Sequence, residues 1–273
     1  MPGKDVYSRT IRTVKAGTIS IAYSEAGAGP PLVLINGFTS TMDMWNPPVL
    51  SALAEHFRVI VFDNRGTGYS SCTDESFSIP LFAQDTLSLM DALGIPQAHI
   101  LGLSMGASIA LELVLLKPER VGKLVLVAGQ CGGREAAPIR PEVWATLADK
   151  SGTPEEIAGR MFSLLFPLPW LATHDPWKHC PEITETTSEE VAARQAGAFR
   201  SWPGCCGRLS EIRIPTLIIT GTDDQVIVPE NSDIIGRHIP GAQVVRFDGA
   251  GHGLMYQFPE EFASTVISFL KQP

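Results

Sequence analysis

The sequence predicts an α/β fold, with a mostly parallel central sheet, helices on both faces and a helical cap inserted after the sixth strand. Three observations predict it. Short apolar runs alternate with helix-like stretches through residues 31–128 and again from 216 onward, the pattern of strands whose two faces are both covered by helices. That rhythm breaks between Gly129 and Pro215, where Pro, Trp and helix-like segments take over. The residues best suited to chemistry fall just after strands, where ligands gather in such sheets.

In chain order, Ser8 to Val14 and Thr18 to Ser24 alternate well enough to form a hairpin around Ala16-Gly17. Pro31 to Ile35 and Arg58 to Phe62 are strands, and Pro48 to His56 is the helix between them. Ile79 to Leu93 is a helix stopped by Gly94. Ile100 to Leu103 is a strand that runs into a helix over Ala107 to Lys117, and Val121 to Ala128 is the next strand. Thr216 to Thr220 is a short buried strand ending at Gly221, Pro229 opens a further helical stretch, and Gln243 to Phe247 is the last strand. These elements place the core domain at 1–128 and 211–273 and the cap at 129–210.

The junction between the strand ending at Leu103 and the next helix reads Gly102-Leu103-Ser104-Met105-Gly106. A strand that turns sharply into a helix strains its central residue, and glycines on either side leave room for the turn. Ser104 would project its hydroxyl clear of the main chain as a nucleophile. The helix would aim its first free N–H groups, starting with that of Met105, at an oxygen becoming negative beside the serine. Downstream, a carboxylate, Asp223 or Asp224, follows the strand that ends at Gly221. His252 lies in the glycine-rich loop Asp248-Gly249-Ala250-Gly251-His252-Gly253 after the last strand. Serine, acid and histidine in that order, each just past a strand, suit a nucleophile, an orienting acid and a base.

With Asn36-Gly37-Phe38 after the third strand and Asp63-Asn64-Arg65-Gly66-Thr67-Gly68-Tyr69-Ser70 after the fourth, the chain resembles the α/β-hydrolase superfamily over nearly its whole length. The resemblance is to the capped branch containing esterases, lactonases and cofactor-free haloperoxidases. It implies an α/β-hydrolase fold and a catalytic triad of Ser104, Asp224 and His252. Asp224 is selected over Asp223 because the family's acid falls three residues after the strand-end glycine. It also implies an oxyanion hole made by the N–H groups of Phe38 and Met105. One departure is Asn36, where the family usually has His; an Asn can still hold the loop by hydrogen bonds within a changed network.

The resemblance implies a carboxylesterase-like enzyme acting on a small, largely apolar ester or lactone, with no cofactor and no metal. Perhydrolysis, acyl transfer and C–C bond hydrolysis can run on the same triad, and a ligand receptor that has lost turnover can share the fold. Ser104 disfavours haloalkane dehalogenation, which needs a carboxylate nucleophile at that position.

Composition narrows the partners. A chain of 273 residues with 44% hydrophobic and 18% charged residues can bury one large core. A formal net charge of −8 argues against nucleic acid and against an acidic membrane surface. Met1 to Thr10 lacks the apolar core of a signal peptide, and no apolar run reaches membrane-spanning length. A cytoplasmic enzyme that takes a small-molecule substrate and can form homo-oligomers is expected. The five cysteines are odd in number and irregularly spaced, so reduced thiols are expected rather than a disulfide framework. A vicinal Cys205-Cys206 bridge and a metal site at His174, His179 and Cys180 are weaker alternatives.

Within the cap, Trp144, Met161, Phe162, Leu165, Phe166, Trp170, Trp177, Phe199 and Trp202 concentrate aromatic and apolar bulk. Most of these would form the cap's own core. Trp144, Phe162, Phe166 and Trp170 are the candidates for a pocket above Ser104, which favours an acyl, aryl or lactone substrate. Arg65-Gly66-Thr67-Gly68 lacks the spacing of a phosphate-binding loop and reads as a tight turn held by Asp63 and Arg65. His56, His99 and His238 read as structural or surface residues.

Overall fold

A computed structural model describes residues 10–149 and 151–272. Ser8 and Arg9 of the expected first strand, and most of the N-terminal segment read as lacking a signal-peptide core, lie outside the described residues. The chain opens with β1 (Arg12–Ala16) and β2 (Ile19–Ala26), paired antiparallel with Ala16 opposite Ile19. Gly17 supplies the positive φ (58°) that this tight turn requires. There follow β3 (Pro31–Ile35), α1 (Pro47–Ala54), β4 (Arg58–Phe62), α2 (Ile79–Ala92), β5 (Ala98–Leu103), α3 (Met105–Leu116) and β6 (Val121–Val127). The stretch between β6 and the next strand carries α4 (Pro141–Ala148), α5 (Pro154–Leu165), α6 (Leu168–Leu171) and α7 (Glu189–Ser201). The chain ends with β7 (Thr216–Gly221), α8 (Glu230–His238), β8 (Gln243–Phe247), α9 (Leu254–Gln257) and α10 (Pro259–Leu270).

The eight strands form one sheet in the order β1-β2-β4-β3-β5-β6-β7-β8. Pairing is antiparallel for β1 with β2 and for β2 with β4, and parallel from β4 through β8. Side-chain alternation sorts the apolar strand residues into two cores. Val33, Ile35, Ile60, Phe62, Ile100, Leu124, Leu126 and Ile218 face one side with α2 and α3. Leu32, Leu34, Val59, Val61, Leu101, Val125, Val127, Leu217 and Ile219 face the other with α1 and α10. Both sides being covered is why these strands read as continuous apolar runs.

Local signals set several boundaries. Ser78 caps α2 by accepting from the Leu81 N–H at 3.2 Å, and Gly94, at φ 66°, ends it. β6 stops one residue earlier than expected because Ala128 takes a positive φ of 47°. The C-terminal α10 was not among the expected elements. Its signal is present in Pro259 at the first position and in Phe262, Ala263, Val266, Phe269 and Leu270 buried at helical spacing. No helix among the described residues is long and apolar enough to cross a membrane.

The cysteines depart from expectation. Cys131 and Cys206 form a disulfide across 75 residues, at the two ends of the stretch that carries α4 to α7. Cys72, Cys180 and Cys205 are free. Sequence spacing gave no sign of the pair because it joins two loops that only the closed fold brings together.

Candidate functional site

Ser104 sits between β5 and α3 with φ 57° and ψ −121°, a conformation that costs a non-glycine residue energy and persists only where neighbours enforce it. The Ser104 N–H donates to the Val127 carbonyl at 2.8 Å, and the Ser104 carbonyl accepts from Ala107 at 2.9 Å. Backbone crowding explains the flanking glycines. A Cβ on Gly102 would stand 2.3 Å from the Gly106 carbonyl oxygen, and one on Gly106 would stand 2.1 Å from the Ile35 carbonyl oxygen. The strain is carried by Ser104 itself, and the glycines let β5, α3 and the end of β3 close around it. Met105 is the first residue of α3, so its N–H has no partner within the helix.

The loop after β3 lies directly against the serine. A Cβ on Gly37 would come within 3.1 Å of Ser104 Cβ, so glycine at this position eases the close approach of the loop to the serine. Asn36 Nδ2 donates to the Thr41 carbonyl at 2.9 Å, and Asn64 Nδ2 donates to the Asn36 carbonyl at 3.1 Å. The side-chain amide thus spans the loop as expected, and Asn64 from the loop after β4 adds a second tie. Thr39 has a positive φ of 55°. Its N–H donates to Gln195 Oε1 at 2.8 Å, and its carbonyl accepts from Thr187 Oγ1 at 2.8 Å. Gln195 is fully buried on α7, so the stretch between β6 and β7 holds the loop that carries Phe38.

Asp224 and His252 are brought together from the loops after β7 and β8. Asp224 Oδ2 lies 2.7 Å from His252 Nδ1, with Asp224 only 3% exposed. Its other oxygen accepts from the N–H groups of Val226 and Ile227 at 2.8 and 3.0 Å, which fixes the carboxylate plane. Because a carboxylate can only accept, Nδ1 carries a proton, and in the neutral ring Nε2 holds the lone pair. Asp223 is exposed, and its Oδ1 accepts from Thr222 Oγ1 at 3.5 Å.

The His252 loop is pinned from both sides. Gly251 donates to Gln257 Oε1 and Gly253 to the Leu165 carbonyl, each at 2.8 Å. A Cβ on Gly251 would meet the Leu165 carbonyl oxygen at 2.5 Å, which explains the glycine before the histidine.

Ser104 and His252 line one cavity of about 90 Å³, together with Asn36, Gly37, Phe38, Trp144, Leu164, Phe199 and other residues, most of them apolar. Trp144 is the one expected pocket residue in that lining. Phe162, Phe166 and Trp170 lie outside it, a correction to the expectation from sequence. Phe166 is fully buried, stacks on Trp170 with centroids 4.5 Å apart and packs behind Gly253. Phe162 meets Phe166 and stands edge-on to Trp177 at 4.9 Å. These rings back the histidine loop instead of facing the cavity. Met161, Leu165 and Phe199 were expected only as apolar bulk in the cap, yet they line the cavity, as do Leu164, Val226 and Met255, for which the sequence raised no expectation. Their helix or loop positions carry no mark of facing a cavity.

Asp63 holds the turn after β4, accepting from the N–H groups of Met42 at 2.7 Å and Tyr69 at 3.0 Å. Arg65, 1% exposed, makes a two-pronged pair with Asp85 at 2.8 and 2.6 Å. Burial raises the Asp85 carboxyl above the usual carboxylate range, with Arg65 pulling it back in part. His174 and His179 pack around Trp170, with centroids 4.6 and 4.9 Å from its ring. Among the described residues, no group of three or more His, Cys, Asp or Glu side chains is placed to hold a metal ion.

A family profile of the α/β hydrolase fold matches residues 30–259. The chain belongs to the α/β-hydrolase fold family. Among curated proteins it is 28% identical over 256 residues to the "Putative carbamate hydrolase RutD" of Azorhizobium caulinodans, covering 93% of this chain and 96% of that one. Among solved structures it is similar to a hydrolase from Pseudomonas aeruginosa, with TM-score 0.81, 30% identity and 97% and 99% of the two chains covered. It is also similar to the enol-lactonase of Burkholderia xenovorans, with TM-score 0.80, 25% identity and coverage of 96% and 100%. The resemblance to this superfamily drawn from the motifs therefore holds, as does a hydrolase-type α/β fold.

Proposed function

We propose that the protein is a serine hydrolase that cleaves the carboxylic ester or lactone of a small, largely apolar substrate through an acyl-enzyme. The supporting observation is that a serine held at φ 57° shares a small, apolar-walled cavity with a histidine whose other ring nitrogen is held by a buried carboxylate. In this reading, His252 Nε2 takes the Ser104 proton as Oγ attacks the substrate carbonyl. The N–H groups of Phe38 and Met105 stabilise the oxyanion, and Asp224 orients the ring and stabilises its charged form. The tetrahedral intermediate collapses, and the proton passes from His252 to the leaving alcohol oxygen. Water then attacks the acyl carbon with His252 as base, and its proton returns through the ring to Ser104. The helical stretch over 129–210 acts as the cap that closes the cavity over Ser104.

A second substrate reading has its own observation. Asn36 lines the cavity, its buried Oδ1 finds no hydrogen-bond partner among the described residues, and its amide orientation is fixed by the Nδ2 bond to Thr41. A substrate bringing an N–H beside its carbonyl, as a carbamate does, would satisfy that oxygen. The relatives named for carbamate hydrolysis favour the same chemistry.

Turnover of p-nitrophenyl acetate and of methyl carbamate, by wild type and by Ser104→Ala, tests both readings. Turnover of either that disappears in a folded Ser104→Ala variant supports the serine mechanism and names the preferred substrate. Equal turnover by the variant rules the mechanism out.

A further inference from the structure

We infer that Trp144, backed by Phe199, is the wall that limits this enzyme to short, uncharged acyl groups; the inference rests on the serine-hydrolase reading above. The cavity that Ser104 and His252 share holds about 90 Å³. An apolar cavity of about 150 Å³ takes a benzene ring, so this smaller one is matched to a short acyl chain. Its described lining contains no Lys, Arg, Asp or Glu. The Tyr256 hydroxyl is engaged with the Met44 carbonyl, and burial raises its pKa far above the usual range. A carboxylate carried on the acyl chain would enter that lining with no cation to meet it, and an unpaired charge in an apolar site is strongly disfavoured.

The wall is thin. A second depression, of about 350 Å³ and open to solvent, lies on the other side of the same residues, sharing Ile139, Trp144 and Phe199 with the inner cavity. Trp144 stands edge-on to Phe38 at 5.8 Å and to Phe199 at 6.1 Å. From outside, the Arg200 guanidinium lies 4.7 Å from its ring, a cation–π contact that holds the indole in place. Removing the indole joins the two spaces, so the inner cavity lengthens toward the open depression. Trp144 is therefore a specificity-determining residue, and its position also sets where a longer chain would run.

Methyl esters test this, because their alcohol half is as small as possible. Rates for methyl acetate, butyrate, hexanoate and octanoate are followed by pH-stat for wild type, Trp144→Ala and the gentler Trp144→Leu. Wild type is expected to peak at acetate or butyrate and to fall at least tenfold in kcat/KM by octanoate. Monomethyl succinate, which adds a charge to a short chain, is expected at least tenfold below methyl butyrate. Both variants are expected to raise the octanoate-to-acetate ratio at least tenfold over wild type. A wild-type preference for octanoate, equal rates for succinate and butyrate, or an unchanged chain-length ratio in both variants overturns the inference. Failure of the underlying reading looks different: no ester of any length is turned over, and a fluorophosphonate probe leaves Ser104 unlabelled.

Discussion

Breaking the Cys131–Cys206 disulfide should destabilise the protein by about 4 kcal/mol. The two sulfurs close a loop of 75 residues, and the chain-entropy relation for a loop of that size gives roughly 4 kcal/mol, mostly through restriction of the unfolded chain. For a chain of 273 residues, that corresponds to a fall in Tm of about 8 °C. Both partners are buried, at 0% and 6% exposure, so the bond is shielded from reductant in the folded state. The neighbouring Cys205 is a poor exchange partner, because burial pushes its thiol up to about 12. Thermal unfolding followed by circular dichroism would compare wild type, wild type reduced while unfolded and refolded with reductant, and Cys131→Ala/Cys206→Ala. The last two should melt together, about 8 °C below the first. Thiol titration of the unreduced, denatured protein should find the three free cysteines. Five titrating thiols would show that the bond is absent, and a melting difference under about 2 °C would show that it does not restrict the unfolded chain as the entropy relation requires.

Four further outcomes follow from the same structure. Asp85→Ala should cost about 3 kcal/mol, because Arg65 stays buried with only the half-exposed Glu75 as its charge partner, whereas Arg65→Met/Asp85→Leu should lose less than that single change, as denaturant titrations would show. Since the Asp85 carboxyl is raised in the folded state, the native protein holds that proton more tightly than the unfolded chain. This group's contribution to stability should therefore fall as pH rises from the ordinary carboxylate range through the raised folded value, a slope that Asp85→Asn removes. Iodoacetamide at pH 8 should modify exposed Cys72 in the native protein well before Cys180 and Cys205, whose thiols burial pushes up to about 12; peptide mass spectrometry gives the order. Asp224→Asn should keep the oxygen that accepts from Val226 and Ile227 yet turn an N–H toward His252 Nδ1. Ester kcat should then fall by about 10⁴ with little change in Tm.

What the sequence reveals and what it hides follows from how local each signal is. β3 to β7 are legible because strands covered on both faces are largely apolar, and Gly94 and Pro229 mark helix ends through their own backbone chemistry. Ser104, Asp224 and His252 are legible as candidates because each follows a strand directly, and parallel strands deliver such loops to one edge. The glycines at 102 and 106 are readable as crowding at a sharp turn, although only the fold shows that Ile35 crowds Gly106. Long-range pairing leaves no such mark. Nothing near Cys131 signals Cys206, and Gln195 lies on an ordinary amphipathic helix although it holds Thr39 across the site. The tryptophans and phenylalanines of 129–210 announce apolar bulk, yet which face of each helix meets the cavity depends on how α4 to α7 pack. Trp144 therefore lines the cavity while Phe166 supports the histidine loop from behind.

Everything proposed for the reaction depends on Ser104 being the nucleophile. Treatment with a fluorophosphonate, followed by intact-protein and peptide mass spectrometry, asks that question of the residue itself. One adduct per chain is expected, located on Ser104, formed in step with loss of ester turnover and absent from Ser104→Ala. An inactivated protein whose adduct lies on another residue, or ester turnover that survives full modification of Ser104, would show that another group attacks the substrate.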